Sequence, residues 1–349
     1  MCILLICTSH PKYPLILLSN RDEYLNRSTA PADFWPSPDS DILGPQDLAR
    51  EEHGTWIGLS RTGRLAVLVN FREPLAEEQI SPFSRGILVK KFLQARDIDT
   101  ADWIEQMIEN AGPGGLFSVG GFSMICGSLR PKMNLKTIKP DVPVDTERLM
   151  PFAVITNRST SLVEGTSWLF QSNERSESED IVARHTIGLS NSLYSEPWPK
   201  VFRGCKLLAA TVASDIKSTT EHAKFIESLF DTLSTNEMPK SAFDSLDPDL
   251  IFDSLRESIF IPVFATSSSA ESTPTPPPAD EHGANGHSYQ FVKGKYYGTR
   301  TQTVILVSNY GHVEYIERTL HNRDDLGHLT ESKKTVAFEF DIEGWDSRT

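Results

Sequence analysis

The chain has 349 residues, and 34 Lys and Arg against 47 Asp and Glu give a formal net charge of −13 at pH 7. That balance repels a phosphate backbone and argues against DNA or RNA as a partner. With 39% hydrophobic and 23% charged residues the chain can bury a core, and no apolar run approaches the ~18–20 residues of a transmembrane segment.

The N-terminal run Cys2–Cys7 is continuous and rich in branched side chains. A turn signal follows at His10-Pro11-Lys12-Tyr13-Pro14, then a second apolar run, Leu15 to Leu18, closing on the polar tip Ser19-Asn20-Arg21-Asp22. This predicts an antiparallel hairpin. A turn centred on Pro11 pairs Ile6 with Ile16, Leu4 with Leu18 and Cys2 with Asn20, bringing Arg21 and Asp22 beside the chain start; a slip of one residue would change which side chains face Cys2. A second hairpin is expected from Thr55–Ser60 and Leu65–Asn70, with Asn70-Phe71-Arg72 as its polar end. Ser84 and Thr100 are candidate caps for two helices carrying Ile87, Leu88 and Phe92, and Trp103, Ile104, Met107 and Ile108.

Strand-like segments follow at Leu116–Leu129, Phe152–Thr156, Trp168–Phe170 and Thr186–Ser190. Helices are expected near Lys200–Ser214 and Glu221–Leu233. Residues 265–288, rich in Ser and Pro, read as a disordered insertion in a single domain spanning 1–349. A last hairpin, Tyr297–Ser308 and His312–Glu317, and a strand at Val336–Ile342 complete the chain. Blocks of strands and blocks of helices favour antiparallel sheets with segregated helix layers, an α+β fold.

Cys2 is the sharpest chemical candidate. Removal of Met1 would leave a thiol and a free α-amine on one residue, with reference pKa values of about 8.5 and 7.7–8.0. The amine can then serve as base for its own side chain. The plain alternative is a buried strand cysteine. Arg21 supplies a cation that favours a thiolate, and Asp22 a carboxylate to orient the amine. Asn70 and Asn191 close strand-like runs, where a side-chain amide can serve an oxyanion, though both residue types also suit plain turns. Arg300 stands in Gly298-Thr299-Arg300-Thr301.

Other chemistries are unsupported. Cys2, Cys7, Cys126 and Cys205 form no C-x-x-C pair and none precedes a proline, the nine histidines show no metal spacing, and Gly188-Leu189-Ser190-Asn191-Ser192 lacks the second glycine of a nucleophile elbow. No cofactor and no metal is therefore expected. The N-terminus lacks the basic start and long apolar stretch of a signal peptide, which points to a reduced, cytoplasmic setting.

Met1-Cys2-Ile3, Asn20-Arg21-Asp22-Glu23, Arg27 before Thr29, Phe34-Trp35, Gly54-Thr55-Trp56-Ile57-Gly58, Asn70-Phe71-Arg72, Gly121-Phe122, Leu189-Ser190-Asn191-Ser192 and Gly298-Thr299-Arg300-Thr301 occur in that order. Together they resemble the NRDE family, whose animal members are called transport and Golgi organisation protein 2. The chain departs from that pattern at Gly44-Pro45-Gln46-Asp47, where the family usually has Gly-Gly-Arg-Asp. The resemblance implies a four-layer αββα sandwich of antiparallel sheets, similar to the N-terminal-nucleophile (Ntn) hydrolases that include choloylglycine hydrolases and penicillin V acylases. It implies Cys2 as nucleophile and base, Arg21 and Asp22 beside it, Asn70 and Asn191 as oxyanion or substrate contacts, and Arg300 as a charge partner. It leaves two functions open: a cysteine amidohydrolase acting on a small or lipid-like amide, or a non-catalytic factor in Golgi organisation and secretion that carries a ligand, haem among the candidates. The compartments it implies are the cytoplasm, the Golgi surface and mitochondria.

Overall fold

A computed structural model describes residues 2–73, 84–110, 116, 119–129, 149–159, 163–170, 178–239, 251, 253–265, 296–323 and 329–345. The expected Ser/Pro-rich insertion lies outside the described residues beyond Ala265.

Two antiparallel sheets stack face to face. The first has the order β10-β1-β2-β12-β13-β14, with β11 also on β12. Its strands are β1 (Ile3–Cys7), β2 (Leu15–Tyr24), β10 (Thr186–Ser190), β11 (Phe264–Ala265), β12 (Tyr296–Val307), β13 (His312–Arg323) and β14 (Leu329–Asp341). The second runs in chain order through β3 (Thr29–Phe34), β4 (Ile42–Asp47), β5 (Ile57–Ser60), β6 (Arg64–Asn70), β7 (Phe122–Ser128), β8 (Leu149–Thr156) and β9 (Val163–Phe170).

Three cores follow from the period of two along the strands. Between the sheets, Leu4, Ile6, Leu15, Leu17 and Ile305 meet Leu65, Val67, Val69, Ile125 and Val154. The alternate residues Ile3, Leu5, Ile16, Leu18, Val304 and Leu306 pack on helices α4 (Pro199–Ser218) and α5 (His222–Leu233) through Leu208, Val212, Phe225 and Leu229. On the far side, Ala66, Leu68, Phe122 and Met124 pack on α1 (Gly86–Gln94) and α2 (Thr100–Glu109) through Leu88, Phe92, Trp103 and Ile104. The layers are therefore αββα, as the resemblance implies. Central strands buried on both faces explain why their sequences are continuous apolar runs.

The hairpin expected at the N-terminus forms, shifted by one residue. Ile6 pairs with Leu17, Leu4 with Ser19 and Ile3 with Asn20. The turn axis falls between Pro11 and Lys12 because buried His10 closes the loop: its Nδ1 accepts the backbone N–H groups of Lys12 and Tyr13 at 3.1 and 3.2 Å. Its Nε2 is then left to donate to Asp215 Oδ2 at 3.0 Å. The expected polar tip is not a tip. β2 continues to Tyr24 because β12 pairs with it along that whole length, and Asn20 satisfies its amide on the carbonyls of Leu233 and Ile259.

Several other expectations are corrected. Asp99, not Thr100, caps α2 by accepting the Ala101 N–H, and α1 starts after Arg85 with no side-chain cap from Ser84. The long segment from Leu116 is a strand only from Phe122, and α3 (Glu179–Arg184), β3 and β4 add to the expected elements.

Helix α4 lies close over β1 and β10 because two glycines face each other's layer. A Cβ on Gly188 would stand 2.7 Å from Val201 Cγ1 and 3.1 Å from Cys205 Sγ, and one on Gly204 2.9 Å from Leu5. This approach brings the first turn of α4 over the N-terminal end of β1. Gly188→Val should therefore lower the unfolding free energy by about 1–3 kcal/mol through overpacking, read as a fall in the urea midpoint with the slope unchanged.

Candidate active site

The register places Cys2 at the centre of a cross-strand row. Extending β1–β2 by one residue sets Cys2 opposite Arg21, and extending β1–β10 sets it opposite Asn191. Direct neighbours share a face, and for this row it is the inter-sheet face. Cys2 is half-buried against the inter-sheet core, and the Arg21 guanidinium lies 3.9 Å from the centre of the Trp56 ring, on the second sheet's side. Ser190 Oγ anchors the row by donating to the Cys2 carbonyl at 2.8 Å.

Arg300 joins from β12 through a bulge. Thr299 pairs with Asp22 and Thr301 with Arg21, leaving Arg300 as the extra residue. The bulge turns Arg300 toward the inter-sheet gap. There its Nη1 donates to the Arg27 carbonyl and, at 2.9 Å, to Thr29 Oγ1, which Arg21 Nη1 also approaches at 3.4 Å. Arg27 is held in turn by Asp47 through two bonds of 2.6 and 3.1 Å. The segment that departs from the family pattern thus keeps its carboxylate in a structural pairing.

Asn70 and Asn191 are also brought together. Asn191 Nδ2 donates to the Asn70 carbonyl, joining the ends of β10 and β6 across the two sheets. Asn191 is buried, and its Oδ1 has no hydrogen-bond partner among the described residues. The Asn70 side chain is exposed.

Asp22 behaves differently. Its carboxylate faces the helix layer, as strand alternation requires for a neighbour of Arg21. Only its backbone carbonyl meets the thiol, with Cys2 Sγ at 3.9 Å and the Tyr297 hydroxyl at 3.2 Å. Thr299 Oγ1 accepts the Ile261 N–H at 2.8 Å and so donates its own proton to Asp22 Oδ1 at 2.7 Å. Lys200 Nζ stands 3.9 Å from Asp22 Oδ2. Burial pushes the Cys2 thiol up, Asp22 adds to the rise and Arg21 pulls it down. Burial lowers the Lys200 ammonium, against Asp22 and Cys2, which raise it.

Lys200 and Glu317 were not singled out by the sequence pattern. Glu317 follows Val313 and Tyr315 on the inward face of β13, so a charged residue two steps beyond two core positions was the available signal. It is fully buried, with Oε1 accepting the Ala32 N–H at 2.9 Å. Burial pushes its carboxyl from 4.5 up to about 7, against that hydrogen bond and the Arg21 and Arg300 cations. No group of His, Cys, Asp and Glu able to hold a metal occurs among the described residues, and no helix among them is long and apolar enough to cross a membrane.

An acid raised on folding favours the folded state while protonated. The contribution is full below the unfolded value of 4.5 and lost as the pH rises through about 7. Glu317→Gln keeps an acceptor for Ala32 without the titration. Its stability relative to the parent should rise between pH 4.5 and 8 by up to about 3 kcal/mol, measured by urea unfolding at each pH. A difference that stays flat across that range would remove Glu317 as a titrating group.

A family model described as Transport and Golgi organisation 2 matches residues 1–322. An uncharacterized protein of Saccharomyces cerevisiae is 30% identical over 356 residues, covering 98% of this chain and 100% of its own length. The human Transport and Golgi organization protein 2 homolog is 28% identical over 335 residues, covering 95% of this chain and 94% of its own. Among solved structures, a mutant conjugated bile acid hydrolase from Clostridium perfringens aligns over 98% of each chain at 10% identity and a TM-score of 0.33, too slight a likeness to inform the site. Matched by that family model from its first residue through β12 and almost all of β13, the chain belongs to the Transport and Golgi organisation 2 family.

Proposed function

We propose that the chain is an N-terminal-nucleophile cysteine amidohydrolase acting on a small or lipid-like amide. The observation that carries this reading is the half-buried Cys2 thiol set between Arg21 and Asn191 at the open end of β1. A cavity of about 10 Å³, room for one water, is lined by Leu4, Ile6, Ile125, Val154 and Leu189 one inward-facing position beyond Cys2; it is too small for an acyl chain, so a substrate would meet Cys2 from the open end of β1.

In the proposed reaction, loss of Met1 frees the Cys2 α-amine. The amine takes the thiol proton, and sulfur attacks the amide carbonyl. Charge develops on the carbonyl oxygen, where the Asn70 and Asn191 side-chain amides are the candidate donors, with Arg21 and Arg300 as the nearby cations. Collapse breaks the C–N bond. The proton passes from the α-amine to the leaving nitrogen, and a thioester remains on Cys2. Water, deprotonated by the same amine, attacks the thioester and releases a carboxylic acid and the thiol.

A second reading follows from the relatives named for transport and Golgi organisation. The chain would then carry a ligand without turnover, haem or a lipid among the cargoes, and the compartment would be the cytoplasm, the Golgi surface or mitochondria. The burial that disfavours the Cys2 thiolate supports this reading.

Intact mass and N-terminal sequencing of purified protein should show Met1 absent and Cys2 unblocked. An acyl-amide library should then leave an acyl adduct on Cys2 that Cys2→Ala abolishes. Retained Met1, or an acetylated Cys2, would end the hydrolase reading. Full rescue of a knockout by Cys2→Ala would favour the carrier.

A further inference from the structure

Lys200 has 0% of its surface exposed, yet it sits at the second position of α4, after Pro199. A cation there opposes the helix dipole, so helix stability gives no reason for it. A buried ion pair also returns little stability compared with apolar residues of the same size. Its surroundings are largely apolar, with the Arg256 guanidinium also 5.2 Å from the Trp198 ring centre. Trp198, Met238, Ile251, Leu255, Ile261, Phe264 and Tyr297 form one cluster beside it, and the Trp198 ring centre is 5.9 Å from Nζ. The Asp22 carboxylate lies 3.9 Å from Nζ, and Asp22 is the residue whose carbonyl meets the Cys2 thiol.

We infer that Lys200 is a positioning residue for Cys2: by neutralising Asp22 in a buried pocket, it lets a thiolate form one residue away from a carboxylate. The charged groups around the sulfur are then the α-amine, Arg21 on the inter-sheet side and the Asp22–Lys200 pair on the helix side. Without Lys200 the carboxylate on the helix side is uncompensated, and like charge at this range disfavours ionisation by about one to three pKa units. Without Asp22 the ammonium alone faces it, and ionisation is favoured. The two single substitutions therefore act in opposite directions, and their combination cancels. An ion pair too remote from the sulfur to act on its ionisation lacks this pattern.

This inference takes from the proposed function only that Cys2 is the reactive group. The test needs no substrate. Iodoacetamide alkylation of Cys2 is followed by peptide mass against pH in the full-length protein, in the parent, Lys200→Met, Lys200→Arg, Asp22→Asn and the double variant. At a pH below the parent's midpoint, Lys200→Met should react roughly tenfold more slowly, Lys200→Arg close to the parent, and Asp22→Asn faster. The double variant should return to near the parent. Should Lys200→Met fail to fold with a lone buried carboxylate, the comparison of Asp22→Asn with the double variant carries the same information, because loss of the lysine there should slow alkylation again. Profiles of Lys200→Met or of the double variant that superimpose on those of their lysine-containing counterparts would overturn the role. A parent Cys2 that resists alkylation at every pH would overturn this role and the hydrolase reading together. Retained Met1 with a lysine-dependent profile would overturn the hydrolase reading alone.

Discussion

Asn20, Arg21 and Asp22 are buried at three successive positions of one strand, and a buried polar group needs a partner. The architecture around the site gives each of the three residues a partner, although Asn20 Oδ1 has none among the described residues. Asn20 and Asp22 point into the helix layer, where two carbonyls, a threonine and a lysine meet them. Arg21 points between the sheets, where an indole face, Thr29 and Glu23 receive it. A strand with this content cannot sit in an ordinary sandwich core. Around it stand a helix whose first turn carries a cation and a second sheet whose ends carry hydroxyls and an aromatic ring.

The apolar strands were readable from sequence because both faces of a central strand in a four-layer stack are buried, so each appears as an unbroken hydrophobic run. β3 and β4 were not readable. They contain Pro31 and Pro45, which argue against strand, and β3 pairs irregularly with its neighbour between Ala30 and Asp33. The six-residue α3 is too short to show a helical period.

Most of the candidate site was legible as a set of residue types at strand ends. Its geometry was not. The bulge that turns Arg300 inward depends on pairing with β2 across most of the chain, and no local signal marks it. Lys200 lies on the same stripe of α4 as Gly204, one turn away, and Glu317 on the same face as Tyr315; each is a charge inside an apolar pattern, visible only once that face is known to be covered. With Gln46 uncharged, Asp47 still grips Arg27 and holds the corner that supports Arg300.

The His10 turn has a remote consequence. It sets where the fold axis of the first hairpin lies, and the cysteine lies at the opposite end of that hairpin, about 17 Å along five residues of strand. Adding or deleting a single residue between Ser9 and Pro14 would index every later pair differently, handing the sulfur the helix-facing neighbour instead of Arg21. The loop acts as a ruler for a sulfur it never touches. Length variation there is expected to be purged among functional relatives even where the loop's own composition drifts.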